Sequence, residues 1–194
     1  MNNTKLIYNE TNIPLRRVYN YNKLPVSLDR QGYFKLELHE PDEEIVGKEF
    51  PFELYYGKIV DILDIGANNF HQFIVRLENR EIVVISGILN YYKKEELLET
   101  YQIVCTNTKP SNFRGIKPEG AFVFANEKNG NPQLFKQLQF QNVNSLRIGL
   151  GQDTIYNLKQ IPYKNLFDLY IGPDGYFKYD GNALEFAGQK FELL

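Results

Sequence analysis

Residues 83–125 read VVISGILNYYKKEELLETYQIVCTNTKPSNFRGIKPEGAFVFA, and this stretch decides the fold. Two apolar runs, 82–88 and 101–105, enclose a polar segment, 93–99, that is built of helix formers and holds neither Gly nor Pro. A loop without a single acid, 105–118, then carries Lys109, Arg114 and Lys117 into a last apolar run at 121–126. Upstream, alternating apolar runs at 54–63 and 70–77 predict two more strands, and the polar triplet Glu78-Asn79-Arg80 predicts a tight turn into the third at 81–88. Five strands (54–63, 70–77, 81–88, 101–106, 121–126) with one short helix between the third and fourth is the order of an OB-fold barrel, the helix plugging one end. The expected fold class is therefore mainly β: a five-stranded OB-fold barrel at 53–126 flanked by other segments.

Those flanks differ in character. Residues 1–52 form an N-terminal extension with an expected strand, in which Phe34, Leu36 and Leu38 alternate onto one face, followed by a turn at Pro41-Asp42. Residues 127–194 form a C-terminal β-rich appendage whose turn signals, Gly172-Pro173-Asp174-Gly175 and Asp180-Gly181-Asn182, separate short aromatic runs in the manner of a meander.

The wording of the central stretch resembles a known family: the tRNA-binding domain of endothelial monocyte-activating polypeptide II and the related carboxy-terminal domains of some methionyl- and tyrosyl-tRNA synthetases. The shared phrases are Ile85-Ser86-Gly87-Ile88, Tyr91-Tyr92, Glu95-Glu96-Leu97, Asn107-Thr108-Lys109-Pro110, Arg114-Gly115 and Gly120. Three phrases depart from the family pattern. Glu99-Thr100 stands where the family has Gly-Lys, Pro118-Glu119-Gly120-Ala121 where it has Ser-x-Gly-Met, and 64–70 (DIGANNF) where it has His-Pro-x-Ala-Asp-Lys-Leu. The resemblance implies tRNA or another structured RNA as ligand, with Asn107, Lys109, Arg114 and Lys117 as its amide and cationic donors. Tyr91 and Tyr92, with Lys93 beside them, are the candidates for base contact, one ring expected to be buried and the other exposed. The phrase Tyr179-x-Gly181-x-x-Leu184-Glu185-Phe186 is similar to the family's final hairpin, which implies an appendage that mimics a second subunit and makes the chain a pseudo-dimer.

Composition limits the alternatives. At 194 residues, 43% hydrophobic and 14% aromatic, the chain has enough apolar material for one substantial core or two small ones. A single cysteine, Cys105, forbids an internal disulfide, and with only His39 and His71 beside it a structural zinc site is not expected. No apolar run approaches the length of a membrane span, so no membrane insertion is expected, and the expected location is the cytoplasm, with an organelle as the alternative. Net charge is −2, yet its distribution is uneven: residues 1–35 hold six basic and two acidic side chains, and 36–52 hold six acids against Lys48. The acidic turn at 40–44 lacks the spaced ligands and glycine of a calcium loop. No nucleophile elbow or P-loop is present, Gly149-Leu150-Gly151 lacks the third glycine of a dinucleotide fingerprint, and a lone His71 in a strand is more often a rim residue than a base. The chain is thus expected to be no enzyme and to need no cofactor.

Two functions fit. One is a non-catalytic tRNA-binding protein, accessory to aminoacylation or RNA docking, with aminoacyl-tRNA synthetases as partners. The other is a structural OB-fold subunit of a larger assembly, a synthetase complex or a ribosome-like or other organellar particle, whose tRNA binding is reduced or lost.

Overall fold

The computed structural model describes residues 17–18, 26–28, 34–36, 45–126, 131–140, 147–151 and 154–194. The chain divides into two units, Met1–Glu49 and Phe50–Leu194. In the first, Arg17–Val18 pairs antiparallel with Ile45–Val46, and Val26–Leu28 with Phe34–Leu36. The strand expected around Phe34 is therefore present over Phe34–Leu36. Leu38, His39, the turn at Pro41 and the acidic segment 40–44 lie outside the described residues.

The second unit is organised by one long strand, β1 (Leu54–Ala67), rich in the aromatic and β-branched residues that favour extended backbone. It pairs antiparallel with β2 (Phe70–Arg76), and β2 pairs with β3 (Glu81–Ser86). On its other edge β1 pairs with β4 (Tyr101–Cys105), and β4 with β5 (Ala121–Val123). The sheet order is thus β5-β4-β1-β2-β3. It curls until its outer strands meet: Val84 of β3 and Gly120 form a parallel bridge, and the Glu119 amide donates to the Val83 carbonyl at 2.8 Å. Gly120 is required there, because a Cβ would sit 2.9 Å from Val104 Cγ1 and 3.0 Å from the Cys105 carbonyl oxygen. This closure makes the mainly β, OB-like barrel that the order of elements predicts.

The faces of β1 explain what fills and what covers the barrel. Tyr55 and Ile59 point inward, while Leu54 and Tyr56 point outward. The ladder register then shifts between Ile59 and Asp61, a bulge that inserts Val60 and turns Ile62 inward in its place. Inside, Ile59, Ile62, Phe73, Val75, Ile82, Val84, Val104 and Phe122 form one core, closed at the end by Leu97. Outside, Leu54, Tyr56, Ile103, Cys105 and Val123 form a second core with residues from the C-terminal region, among them Phe135, Phe177, Phe186 and Phe191. Strand β4 is buried on both faces, which is why Tyr101–Cys105 reads as a near-continuous apolar run rather than an alternation.

The remaining strands are short. β6 (Ala125–Asn126) pairs with β7 (Pro132–Gln133), and β8 (Arg147–Ile148) adds to the free edge at the start of β1. A three-stranded meander follows, made of β9 (Tyr170–Ile171), β10 (Phe177–Tyr179) and β11 (Asn182–Ala183), and then the hairpin β12 (Glu185–Phe186) and β13 (Gln189–Lys190).

Four expected boundaries move by two residues or more, the first being that of β1, which runs on past Leu63 to Ala67. The third strand stops at Ser86, and Ile88–Asn90 form a 3-10 turn. The helix, α1, covers only Lys94–Leu97, because Leu98 is already extended (ψ 139°) and Glu99 adopts a left-handed φ of 65° to swing the chain into β4. The fifth strand leaves β4 after Val123, and Ala125–Asn126 pairs with β7 instead.

Candidate functional site

The cationic loop 105–118 is fastened at its root, its middle, its tip and its end. At the root, Asn107 is only 6% exposed, and both hydrogens of its amide donate inward, to the carbonyls of Pro51 (2.8 Å) and Lys159 (2.9 Å). Its Oδ1 accepts from the Glu53 amide at 2.9 Å and from the Cys105 thiol at 3.2 Å. Burial pushes that thiol up to about 11, so it stays protonated and donates. One residue on, Thr108 bridges to Ile161, and the Lys109 amide donates to the Ile161 carbonyl at 2.8 Å.

At the tip, Phe113 and Ile116 exchange backbone hydrogen bonds (2.8 and 3.0 Å) around Arg114 and Gly115, whose φ values are 52° and 86°. Two consecutive positive φ angles are those of a type I′ turn, and they place Arg114 at its apex. The Arg114 guanidinium donates to the Gly66 carbonyl at 2.6 Å, tying the loop to the β1–β2 hairpin. At the end, Gly120 closes the barrel. Lys109, Arg114 and Lys117 are all exposed, and among the described residues none of them is ion-paired.

The expected donors therefore separate. Lys109, Arg114 and Lys117 project from the loop as surface cations. Asn107 does not: its donors are consumed by the fold, which corrects its place among the RNA-facing amides and makes it the lock at the loop's root.

Tyr91, Tyr92 and Lys93 lie on the segment between the 3-10 turn and α1. Tyr91 is 55% exposed, whereas Tyr92 packs against the inner core and its hydroxyl donates to the Pro132 carbonyl at 3.0 Å. Both line an open recess with His71, Asn90, Lys93, Lys94, Glu95 and Glu96. Lys93 is exposed, and its amide donates to the Glu96 carboxylate at 2.6 Å. Two lysines against two glutamates leave this recess without a cationic excess, unlike the loop. His71 borders it from β2 with Nδ1 buried and, among the described residues, without a hydrogen-bond partner.

The two clusters meet at the β1–β2 hairpin. The Asn90 side chain donates to the Asn69 carbonyl at 3.3 Å, and the next residue, Phe70, lies with its ring centroid 5.1 Å from that of Phe113. Sequence reasoning missed Phe70 and Phe113. Phe113 stands inside the acid-free loop beside Arg114, and Phe70 follows Asn68-Asn69, so the available signal was an apolar ring set among turn residues. Among the described residues there is no cluster of three His, Cys, Asp or Glu side chains able to hold a metal, and no helix long and apolar enough to cross a membrane.

Comparison with known proteins bears on the fold and on what the chain is similar to. Residues 54–142 match the model of the "Putative tRNA binding domain" family. Methionine–tRNA ligase of Borreliella burgdorferi (strain ZS7) is 31% identical over 116 residues, which is 55% of this chain and 16% of that protein. The enzyme of the same name from Nanoarchaeum equitans (strain Kin4-M) is 36% identical over 115 residues, 53% of this chain and 15% of that protein. The chain thus spans about one sixth of the length of these curated relatives. The crystal structure of the C-terminal domain of Plasmodium vivax p43 superposes with a TM-score of 0.62 over 74% of this chain and 92% of that domain, at 18% identity, and so shares its fold. Residues 54–142, which span the barrel and the pinned loop, are thus similar to the tRNA-binding domain family.

Proposed function

We infer that this chain is a non-catalytic tRNA-binding protein that docks structured RNA for aminoacylation, with a methionine–tRNA ligase as its natural partner. One observation carries it: Lys109, Arg114 and Lys117, exposed and, among the described residues, without an ion-pair partner, stand on a loop whose root and tip are both fixed to other elements. Cations held in place before binding lose little side-chain and loop entropy on contact, so more of their attraction for phosphate is retained. The expected recognition is of backbone and shape, since lysine and arginine tips reading phosphates carry little sequence information. The synthetase relatives support the choice of tRNA and of partner.

The scaffold alternative rests on the altered phrase from Pro118 to Ala121, the slight net acidity and the large flanking regions, and predicts a reduced or absent salt-dependent affinity for tRNA. Titration of total tRNA at several salt concentrations, with the unaltered chain and with Lys109→Ala/Arg114→Asn/Lys117→Ala, separates the two. Asparagine is chosen at position 114 because it tolerates the left-handed backbone there. The triple variant should bind more weakly, and its plot of log affinity against log salt should flatten by roughly 2–3 units, at ~0.7–0.9 per phosphate contact. No binding by the unaltered chain, or an unchanged slope in the variant, refutes the proposal.

A further inference from the structure

The β1–β2 hairpin and the cationic loop place two phenylalanines face to tilted face at the surface. Phe70 is 42% exposed, and its ring centroid lies 5.1 Å from that of Phe113 with the planes at 51°. Neither ring belongs to either buried core. Phe70 is one of several exposed rings, with Tyr91 at 55% and Phe167 at 66%, and is set apart by its place at a hairpin tip beside the Arg114 cation.

The pair is held from both sides. Phe70 is positioned by its register with Ala67 across the Asn68-Asn69 turn, and Phe113 by its reciprocal hydrogen bonds with Ile116. Arg114, the residue after Phe113, reaches across to the Gly66 carbonyl, so its cation stands at the same hairpin tip as the Phe70 ring. The Asn90–Asn69 hydrogen bond fixes the far side.

The geometry points to a stacking subsite for one unpaired RNA base: its plane would lie on the open face of Phe70, and Arg114 would meet the adjoining phosphate. This rests on the RNA-binding function proposed above and deepens it, because it names what the chain prefers among RNAs. A base inside an A-form helix is already stacked between its neighbours and cannot present its face, whereas a loop or bulge base can. The charged and amide-bearing rim fits an anionic nucleotide better than an apolar protein segment.

The test compares two RNAs of equal length and charge at one salt concentration: a blunt duplex, and a hairpin that carries one 2-aminopurine among its unpaired loop nucleotides. The chain should bind the hairpin roughly five- to tenfold more tightly, from one stacked base, and should quench the 2-aminopurine fluorescence. Phe70→Leu keeps an apolar side chain against Phe113 but has no ring face, so the preference should fall toward one and the quenching should vanish. Phe70→Trp should restore both. Equal binding of the two RNAs by the unaltered chain without quenching, or a preference that survives in Phe70→Leu, overturns the subsite and returns the aromatic pair to protein docking while leaving RNA binding intact. Failure to bind either RNA overturns both proposals. The quenching on the unaltered chain needs no variant to fold.

Discussion

Replacing Asn107 by alanine separates a lock from a ligand contact. The amide satisfies two carbonyls, those of half-buried Pro51 and exposed Lys159, and one backbone amide, Glu53, besides accepting the Cys105 thiol. Alanine can serve none of them. A fully buried backbone group left without a partner costs about 1–3 kcal/mol, so three groups would reach roughly 3–9 kcal/mol only if all were sealed from water. Some relaxation and water entry bring the expected loss to about 3–5 kcal/mol, a large fraction of the ~5–15 kcal/mol that holds an ordinary domain. Asn107→Asp should be at least as damaging, since it turns two donors into an acceptor facing two carbonyl oxygens. The assay is urea unfolding followed by far-ultraviolet circular dichroism, with the midpoint read at constant m. A loss below about 1 kcal/mol for Asn107→Ala, with tRNA affinity reduced instead, would refute the lock and return Asn107 to the RNA-facing surface.

Further outcomes follow from the same geometry. Glu99→Gly should stabilise the chain by about 0.5–1 kcal/mol, because glycine removes a left-handed penalty of about 1–2 kcal/mol while losing only an exposed pair with Lys58; a lower thermal midpoint would contradict this. Burial holds the Cys105 thiol at about 11 when folded, against 9.0 ordinarily. Between those values the unfolded chain binds fewer protons than the folded one, so this contribution to stability is whole below pH 9 and is lost as pH rises toward 11, about 2–3 kcal/mol in full. Tyr56, also raised by burial to about 12, adds its own loss only above pH 10. Cys105→Ala should therefore flatten the fall in urea midpoint between pH 9 and 10 specifically, and an unaltered slope would show that the thiol titrates normally. A chain ending at Asn126 should aggregate or melt far below the intact one, since Leu54, Tyr56, Ile103, Cys105 and Val123 would lose their cover at ~1.5–3 kcal/mol for each large side chain; a monomeric truncated chain of equal thermal stability would refute the dependence.

The barrel was legible because each strand carries its own alternation or apolar run, and because Glu78-Asn79-Arg80 and the Gly/Pro-punctuated loops mark the turns locally. What was not legible depended on partners far away in sequence. The inward–outward division of β1 is set by Val60, a bulge residue no different in composition from its neighbours. The helix shortened because Glu99 takes a backbone angle that its side chain does not advertise; a glycine at that position, as in the family pattern, would have announced it. Asn107 looked like a surface donor because asparagine in a polar loop usually is one, and only the approach of Pro51 and Lys159 turns it inward. The Phe70–Phe113 contact joins residues 43 positions apart by their own numbers, beyond the reach of any local pattern.

The shared sheet links stability to binding. Strands β1, β4 and β5 separate the inner core from the outer one, and the outer core supplies Ile161, whose backbone receives the Lys109 amide, alongside the Lys159 carbonyl that receives Asn107. The C-terminal region therefore acts on the cationic loop without contributing any of the loop's three cations: it fixes the root from which Lys109 projects. Loosening that attachment should leave net charge and long-range attraction for RNA unchanged, and should raise the entropy lost when the loop settles on phosphate. Replacing Ile161 by glycine, which removes a side chain only 6% exposed while retaining both backbone hydrogen bonds, tests this coupling. Affinity for tRNA should drop through faster dissociation, with association and its salt dependence unchanged, because steering belongs to the charges and residence to the pinned geometry. A slower association rate with an unchanged dissociation rate would show that the outer core has no part in holding the loop.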